Sequence, residues 1–386
     1  MARRAFVVVI DAAGAGALPD TVAYGDPADS DTLAHVAEAV GGLRLPTLQA
    51  LGLGCIRPIL GVPPATAPVL HGRLAPQGPG KESTTGHWEL MGVVAPAPLP
   101  VYPDGFPPAV LARLDAVVGG TGFLCNAPYS GTDVIRDFGA RHLRTGKLIL
   151  YTSADSVLQL AAHHDVLCEE ALLERCARVR HEVMVGPHAV GRVIARPFAG
   201  PPGAFRRTEG RRDFAVRPPG RSYLDVLSER GVPVHAVGKT HDLFAGVGFT
   251  HEHPGSSNAR ALAETSVLVD ELDHGLVFVN LVETDQLYGH RKDPDGFHVA
   301  LQRIDAEVAR WLARLGSDDL LVLTADHGVD PTAPHTDHTR EHVPLLARFA
   351  GDAGREHHGP FADVGASVHA WLAGARNSGL TGRSFV

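Results

Sequence analysis

Cysteine, positive charge and long apolar runs are scarce in this sequence, and each scarcity excludes a class of protein. Only four of the 386 residues are cysteine and none forms a CxxC pair, so we expect reduced thiols in a cytoplasmic protein rather than a disulfide framework. No apolar stretch is long enough to span a bilayer, which argues against a membrane partner. The first apolar run, residues 5–10, is too short for a signal peptide and ends at Asp11, so we interpret it as a β-strand.

The charge balance argues against nucleic acid as a partner. Lys and Arg number 35 against 43 Asp and Glu, a formal net charge of −8, and no predicted helix carries a basic cluster. With 44% apolar residues the chain can bury a large core, and its length favours two domains over one. We therefore expect an enzyme that acts on a small molecule, with no obligate protein partner evident. Its 22 histidines are a high count and include candidate metal ligands.

Short apolar runs alternate with segments of helical periodicity, which is typical of an α/β fold with a mainly parallel sheet flanked by helices. Apolar residues recur at helical spacing in residues 299–315, and residues 32–40 and 46–51 are also predicted helices. The predicted buried strands are residues 6–10, 148–152, 232–237, 276–282, 320–324 and 343–347.

Two proline-rich passages, residues 95–108 and 196–219, interrupt the α/β pattern. Such passages are typical of domain crossings. We therefore predict a discontinuous core domain and a smaller inserted α/β domain. The predicted boundaries are 1–97 and 219–386 for the core and 98–218 for the inserted cap.

Acidic residues and histidines stand where the predicted strands end. In an open α/β sheet the carboxyl ends of the strands form the ligand site, so these distant segments are expected to converge there. Three carboxylates and three imidazoles suit Mn²⁺ or Zn²⁺, and two ions use them better than one. Taken singly, each residue is more often a turn, cap or structural residue; the complete set is the signal. The six candidates are Asp11, Asp285, His290, Asp326, His327 and His338.

A phosphate acceptor is suggested by residues 78–92, GPGKESTTGHWELMG, in which a glycine turn opens a predicted helix. The hydroxyls of Ser83, Thr84 and Thr85 would lie near the helix N-terminus, where N–H groups and the helix dipole favour an anion. An ordinary helix cap has the same pattern. The segment is not a Walker A loop, because Lys81 is followed by glutamate.

Seven segments resemble the prokaryotic phosphopentomutases of the alkaline phosphatase superfamily. The resemblance covers nearly the whole chain, and it implies an alkaline-phosphatase-like core, a mainly manganese-loaded metal pair and a phosphorylated hydroxyl residue. The segments are VVVIDAAGAGALPD, GKESTTGHWE, YTSADSVLQLAAH, VGRVIARPFAGPPGAFRRT, NLVETDQLYGHRKD, LTADHGVDPT and TDHTREHVPLL.

The resemblance also implies individual roles. One metal would be held by Asp11, Asp326 and His327, and the other by Asp285, His290 and His338. The phosphorylated threonine of the family falls on Ser83, which keeps the hydroxyl, with Thr84 as the fallback. A sugar bisphosphate would charge Ser83 before turnover. The positions that approach the sugar phosphate are Ser153, Asp155, Arg192, Arg207 and Lys239.

Besides Ser83, the sequence departs from the family pattern at three places, so the substrate is less firmly predicted than the fold. Ala12 and Ala13 replace a usual Ser-Val pair, His335 replaces a glycine, and SSNARAL at 256–262 replaces an Asn with a following Asp-Gly pair. The main prediction is a phosphopentomutase acting on ribose 5-phosphate or 2-deoxyribose 5-phosphate. The alternatives are a mutase for a modified pentose phosphate, a metal-dependent phosphatase with the same site, and a non-catalytic metal-binding protein.

Overall fold

The computed structural model describes residues 3–153, 155–374 and 379–386. The strands in these residues are β1 (Arg4–Ile10), β2 (Leu70–Ala75), β3 (Phe123–Pro128), β4 (Leu148–Thr152), β5 (Val157–His163), β6 (Arg192–Ala199), β7 (Arg206–Arg207), β8 (Arg212–Ala215), β9 (Val234–Val237), β10 (His251–His253), β11 (Gly275–Leu281), β12 (Asp319–Thr324), β13 (Val343–Arg348) and β14 (Gly359–Pro360).

The α-helices are interspersed with the strands, as the alternating pattern predicts. They are α1 (Thr32–Ala39), α2 (Pro46–Leu51), α3 (Leu53–Ile56), α4 (Ser83–Leu90), α5 (Pro108–Val118), α6 (Asp133–Thr145), α7 (Glu169–Arg178), α8 (Tyr223–Glu229), α9 (Thr240–Leu243), α10 (Asn258–Glu271), α11 (Pro294–Leu312) and α12 (Asp363–Ala373). None of the helices in the described ranges combines the length and the apolarity needed to cross a bilayer.

The chain divides into two compact units. One consists of Met1–Ala97 and Pro218–Val386, and the other is the continuous segment Pro98–Arg217. The discontinuous unit contains an eight-stranded sheet in the order β10-β9-β11-β1-β12-β13-β2-β14. The five strands from β10 to β12 run parallel, whereas β13 is antiparallel to both β12 and β2.

The central strands of this sheet are buried on both faces, which explains their nearly continuous apolar sequences. β11 and β12 are buried along their whole length, and β1 is buried after its first residue. All six predicted strands are present, each with ends within two residues of the prediction. The helix predicted at 299–315 begins earlier, at Pro294, because the side chain of Asp293 caps it by accepting the N–H of Gly296 at 2.9 Å.

The continuous unit is itself α/β. β3 to β7 form one sheet in chain order, and β8 pairs with β6. One apolar cluster lies between this sheet and α5 and α7 and includes Leu158 and Leu160. The other lies against α6 and includes Ile149, Tyr151 and Phe198. The sheet therefore has an apolar core on each face, as expected for an inserted α/β domain.

Candidate metal centre

The strand order explains why the predicted metal ligands converge. β11, β1 and β12 are parallel neighbours, so Asp285 after β11, Asp11 after β1 and Asp326 after β12 lie at one edge of the sheet. β13 runs antiparallel to β12, so the segment leading into β13 starts at that same edge. This segment carries His338.

Asp11, Asp326 and His327 form one group of buried donors. Their possible ligand atoms all lie within 4.8 Å of one another. Nε2 of His327 is 3.3 Å from Oδ1 of Asp11 and 3.4 Å from Oδ2 of Asp326. Oδ2 of Asp326 is buried without a hydrogen-bond partner, which is costly unless a cation occupies the space beside it.

A second group surrounds Asp285. Its Oδ1 lies 3.3 Å from Nε2 of His290 and 3.5 Å from Nε2 of His338, and it too is buried without a hydrogen-bond partner. Nδ1 of His290 lies 2.6 Å from the carbonyl of Thr336. A proton donated to that carbonyl leaves the Nε2 lone pair facing Asp285.

His327 lies between the two groups. Its ligand atom converges with those of Asp285 and His338 as well as with the first group, and its ring centroid is 4.3 Å from that of His338. The resemblance assigned His327 to a single ion. The geometry instead brings it within reach of both groups, which is the arrangement expected around two closely spaced ions.

The electrostatics of the cluster favour cations. Burial, reinforced by the charges of Asp326 and Asp285, raises the pKa of Asp11 to about 6. Burial also opposes charge on His327, but Asp326 and Asp11 outweigh it and raise its pKa to about 10. Protons thus partly neutralise this buried acidic cluster, and divalent ions would displace them. The donor set therefore fits a pair of divalent metals.

Ser83 meets the same centre from α4. It is the first residue of that helix, and Glu82 before it makes no side-chain cap. Its Oγ lies 3.0 Å from Nε2 of His327 and 3.5 Å from Oδ1 of Asp11. Thr85 is turned elsewhere, since its hydroxyl donates to the carbonyl of Glu82 at 3.3 Å. Of Ser83 and Thr85, Ser83 is therefore the residue whose hydroxyl approaches the ligands.

Ala12, the residue after Asp11, contacts the ligand group through its main chain. Ala12 has φ of +66°, an uncommon value for a residue with a side chain. Its N–H donates to Oδ1 of Asp326 at 3.3 Å, and its carbonyl accepts the N–H of Val329. Ala12, which departs from the family pattern, thus lies beside the ligands, and these two contacts use its main chain.

Two charged residues that we did not select from the sequence hold the turn before Ser83. Glu89 accepts the N–H groups of Gln77 and Gly78. Arg340 donates to the carbonyls of Gly78 and Gly80, both at 2.8 Å. In the sequence, their only signal was a charged side chain within each of the motifs GHWE and TDHTRE. Such a side chain needs a partner if it is buried.

In the continuous unit, the predicted sugar-phosphate residues lie at the ends of strands. Ser153 follows β4, and Arg192 begins β6. Arg192 is brought near two carboxylates, Asp155 at 3.9 Å and Asp213 at 3.7 Å. Asp213 was not predicted. The two contacts orient the guanidinium loosely, which leaves hydrogen-bonding capacity for a ligand.

Arg207 and Lys239 are placed by other contacts. Arg207 is an exposed residue of β7, and its Nε donates to the carbonyl of Gly131 at 3.4 Å. Lys239 belongs to the discontinuous unit, where it follows β9, caps α9 and is half-buried. Arg207 and Lys239 therefore lie on different segments of the chain from Arg192.

Comparisons with known proteins identify relatives of the chain. The model of the metalloenzyme superfamily matches residues 224–373. Phosphopentomutase of Anaeromyxobacter dehalogenans is 52% identical over 373 residues, covering 95% of each chain. That of Deinococcus radiodurans is 48% identical over 94% of each chain. The solved phosphoglycerate mutase of Leishmania mexicana has the same fold, with a TM-score of 0.51 at 13% identity over 99% of this chain and 97% of that one.

The superfamily match, the donor set and the fold shared with the phosphoglycerate mutase together define a metal-dependent enzyme with an α/β core. The identity to phosphopentomutases extends over nearly the whole chain and to distant bacteria, including 45% to that of Carboxydothermus hydrogenoformans over 95% of each chain. The chain belongs to the phosphopentomutase family, and it is an enzyme of the isomerase class.

Proposed function

We propose that the chain interconverts ribose 5-phosphate, or 2-deoxyribose 5-phosphate, and the corresponding 1-phosphate through a phosphorylated Ser83. The observation that carries this proposal is the position of its Oγ, 3.0 Å from His327 and 3.5 Å from Asp11. A hydroxyl in that place can receive a phosphoryl group and pass it on. Transfer to a sugar hydroxyl makes the enzyme a mutase, whereas transfer to water would make it a phosphatase.

The reaction balances as two transfers in opposite directions. O1 of the sugar attacks phosphorus of phospho-Ser83, the P–Oγ bond breaks, and the proton of the sugar hydroxyl is released. The product is a 1,5-bisphosphate and a free Ser83. After the bisphosphate turns around, Oγ of Ser83 attacks the 5-phosphate, the P–O5 bond breaks, and O5 takes up a proton. The 1-phosphate leaves and the phosphoserine is restored.

Six residues would hold two divalent ions, which we propose are Mn²⁺. When bound, the ions would neutralise charge on the transferring phosphoryl group. The buried oxygens of Asp285 and Asp326 that lack hydrogen-bond partners support this assignment. The proposed ligands are Asp11, Asp285, His290, Asp326, His327 and His338.

Further parts of the proposal concern substrate and setting. Ser153, Asp155, Arg192, Arg207 and Lys239 would bind the sugar phosphate, since guanidinium groups suit phosphate and carboxylates accept from sugar hydroxyls. A sugar bisphosphate would charge Ser83 initially. We propose that the enzyme works in the cytoplasm on a small molecule and needs no nucleic acid, membrane or obligate protein partner.

Phosphorus NMR tests the transfer directly. Protein loaded with Mn²⁺ and primed with a sugar bisphosphate is incubated with ribose 5-phosphate, and we expect a ribose 1-phosphate signal without matching growth of inorganic phosphate. Growth of inorganic phosphate alone would mean that the site is a phosphatase. Product from 2-deoxyribose 5-phosphate or a modified pentose phosphate, but not from ribose 5-phosphate, would identify that other sugar phosphate as the substrate. Metal binding without either reaction would leave a non-catalytic protein.

A further inference from the structure

Two buried polar residues behind the metal centre connect its carboxylates to the helix that carries Ser83. Asn280 belongs to β11, where it is paired in register with Val9 of β1. Its Nδ2 donates to Oδ2 of Asp11 at 2.8 Å and lies 3.2 Å from Nε2 of His87. Both side chains are buried, with exposed fractions of 2% for Asn280 and 0% for His87.

The other ring nitrogen of His87 reaches the second carboxylate. Nδ1 lies 2.8 Å from the carbonyl of Ser83 and 3.0 Å from Oδ2 of Asp326. Since the contact with the carbonyl is the hydrogen bond, the oxygen of Asp326 keeps a lone pair for another partner. Nδ1 of His87 therefore contacts both the main chain of Ser83, the proposed nucleophile, and Asp326, a proposed ligand.

The hydrogen bonds run in one direction through the pair. An aspartate oxygen and a carbonyl can only accept, so Asn280 must donate to Asp11 and Nδ1 of His87 must donate to Ser83. Nε2 of His87 is then the acceptor for the second N–H of Asn280. This polarity fixes the orientation of the Asn280 amide and places a proton on Nδ1 of His87.

The amide oxygen of Asn280 points to the N–H groups as the part of the side chain that matters. Oδ1 is buried and has no hydrogen-bond partner, which is a cost that an apolar residue at this buried position would avoid. The cost is explained if the two N–H groups of the amide are needed where they are. Asn280 is also the interruption of an otherwise apolar strand, GLVFVNL.

We propose that His87 and Asn280 are a positioning pair, which holds Asp11 and the first turn of α4 so that the free carboxylate oxygens and the Ser83 hydroxyl face one ion. Neither residue touches the substrate or the ion. The pair acts on the group formed by Asp11, Asp326 and His327 and not on the group around Asp285. This inference rests on the proposed dinuclear centre and adds residues to it.

Metal titration separates this role from a merely structural one. Asn280→Leu removes the amide at similar volume, and His87→Phe keeps a ring but removes both nitrogens. Calorimetric titration with Mn²⁺ is expected to show two ions in the parent. Each variant should bind one of them roughly 10- to 100-fold more weakly, as is usual when a residue behind a ligand is lost, and the other ion unchanged.

The double variant adds a second criterion. Because the two residues act through one chain of hydrogen bonds, combining Asn280→Leu with His87→Phe should lower the affinity for that ion little more than the more damaging single change does. Asn280→Ser, which keeps a shorter hydroxyl donor, should fall between parent and Asn280→Leu. It also provides the comparison if the larger change prevents folding.

His142→Phe is the matched control. His142 is a fully buried histidine in the other unit, and its two ring nitrogens contact the carbonyl of Lys147 at 2.6 Å and the N–H of His163 at 2.9 Å. The His142→Phe variant should be less stable than the parent but should bind both Mn²⁺ ions with unchanged affinity. Unchanged affinities in the variants of the pair, or equal losses at both ions, would overturn the inference. A parent that binds no metal would instead overturn the dinuclear centre itself.

Discussion

Oγ of Ser83 lies 3.0 Å from Nε2 of His327, although 244 residues separate them and they come from different elements. Ser83 opens α4, and His327 follows β12. The same imidazole nitrogen also contacts Asp11 and Asp326. One atom therefore joins the proposed nucleophile to the proposed ligands.

Replacing the hydroxyl at position 83 should abolish turnover. For Ser83→Ala we expect a fall in kcat of at least about 10³-fold, because a missing nucleophile cannot be replaced by binding alone. Ser83→Thr should retain activity, since it keeps a hydroxyl on the same carbon. Mass spectrometry after priming with a sugar bisphosphate should show one added phosphate in the parent and none in Ser83→Ala.

Thr84→Ala is the control for that substitution. Thr84 is the adjacent buried residue of the same helix turn, so its loss should perturb packing without removing the phosphorylated group. If Ser83→Ala still takes up phosphate and Thr84→Ala does not, the nucleophile is Thr84 and the alignment on position 83 is wrong.

Removing metal should destabilise the fold as well as stop the reaction. Asp11, Asp285 and Asp326 place three carboxylates in one buried cluster, and bound cations would offset their mutual repulsion. Mn²⁺ at a hundred times its dissociation constant should add about 2.7 kcal/mol for each ion that binds only the folded state. Differential scanning fluorimetry with chelator and with added Mn²⁺ measures this, and a melting temperature indifferent to both would argue against the centre.

Much of this centre follows from the sequence because parallel strands carry their following residues to one edge. The apolar runs before Asp11, Asp285 and Asp326 are long enough to be recognised as buried strands, and their order in the sheet need not be known for the prediction to work. The alternation of strands and helices likewise predicted the α/β fold.

The residues that support the centre were harder to find, since they lie within elements rather than at their ends. Asn280 is the last residue but one of β11, and His87 is surrounded by the buried residues of α4. Their only signal was polarity at a buried position, which by itself does not identify a partner. Which side chain meets Asn280 depends on the neighbouring strand and the position of α4, and neither is encoded locally.

Arg192 should act on binding more than on chemistry. We expect Arg192→Ala to raise KM for ribose 5-phosphate roughly 10- to 100-fold, the loss of a charged hydrogen bond worth about 1.5–3 kcal/mol, with a smaller effect on kcat. Arg206, an exposed arginine in β7, provides the matched control, and Arg206→Ala should leave KM unchanged. Steady-state kinetics on both variants distinguishes a phosphate contact from a general loss of positive charge, which would raise KM equally.

Acid should destabilise the protein through His235, a residue remote from the proposed reaction. Burial, with the neighbouring imidazoles of His251 and His253, lowers the pKa of His235 to about 4. His251 stacks on it with ring centroids 4.3 Å apart, and Nε2 of His253, whose Nδ1 contacts Glu264, is 2.9 Å from its Nδ1. The native state therefore resists adding a proton at this ring.

The sign of the effect follows from proton binding in the two states. Above pH 6.5, the ordinary pKa, His235 is neutral whether folded or unfolded and contributes no pH dependence. As the pH falls from 6.5 to about 4, only the unfolded chain takes up the proton, so stability declines over that range. His235→Asn, which can keep the contact to His253, should show a shallower decline. Urea unfolding at pH 7.5, 6 and 5 measures the free energy of unfolding of both proteins. Titration of the metal ligands affects both proteins equally and cancels in the difference between them. Parallel plots of stability against pH would mean that His235 titrates normally in the folded protein.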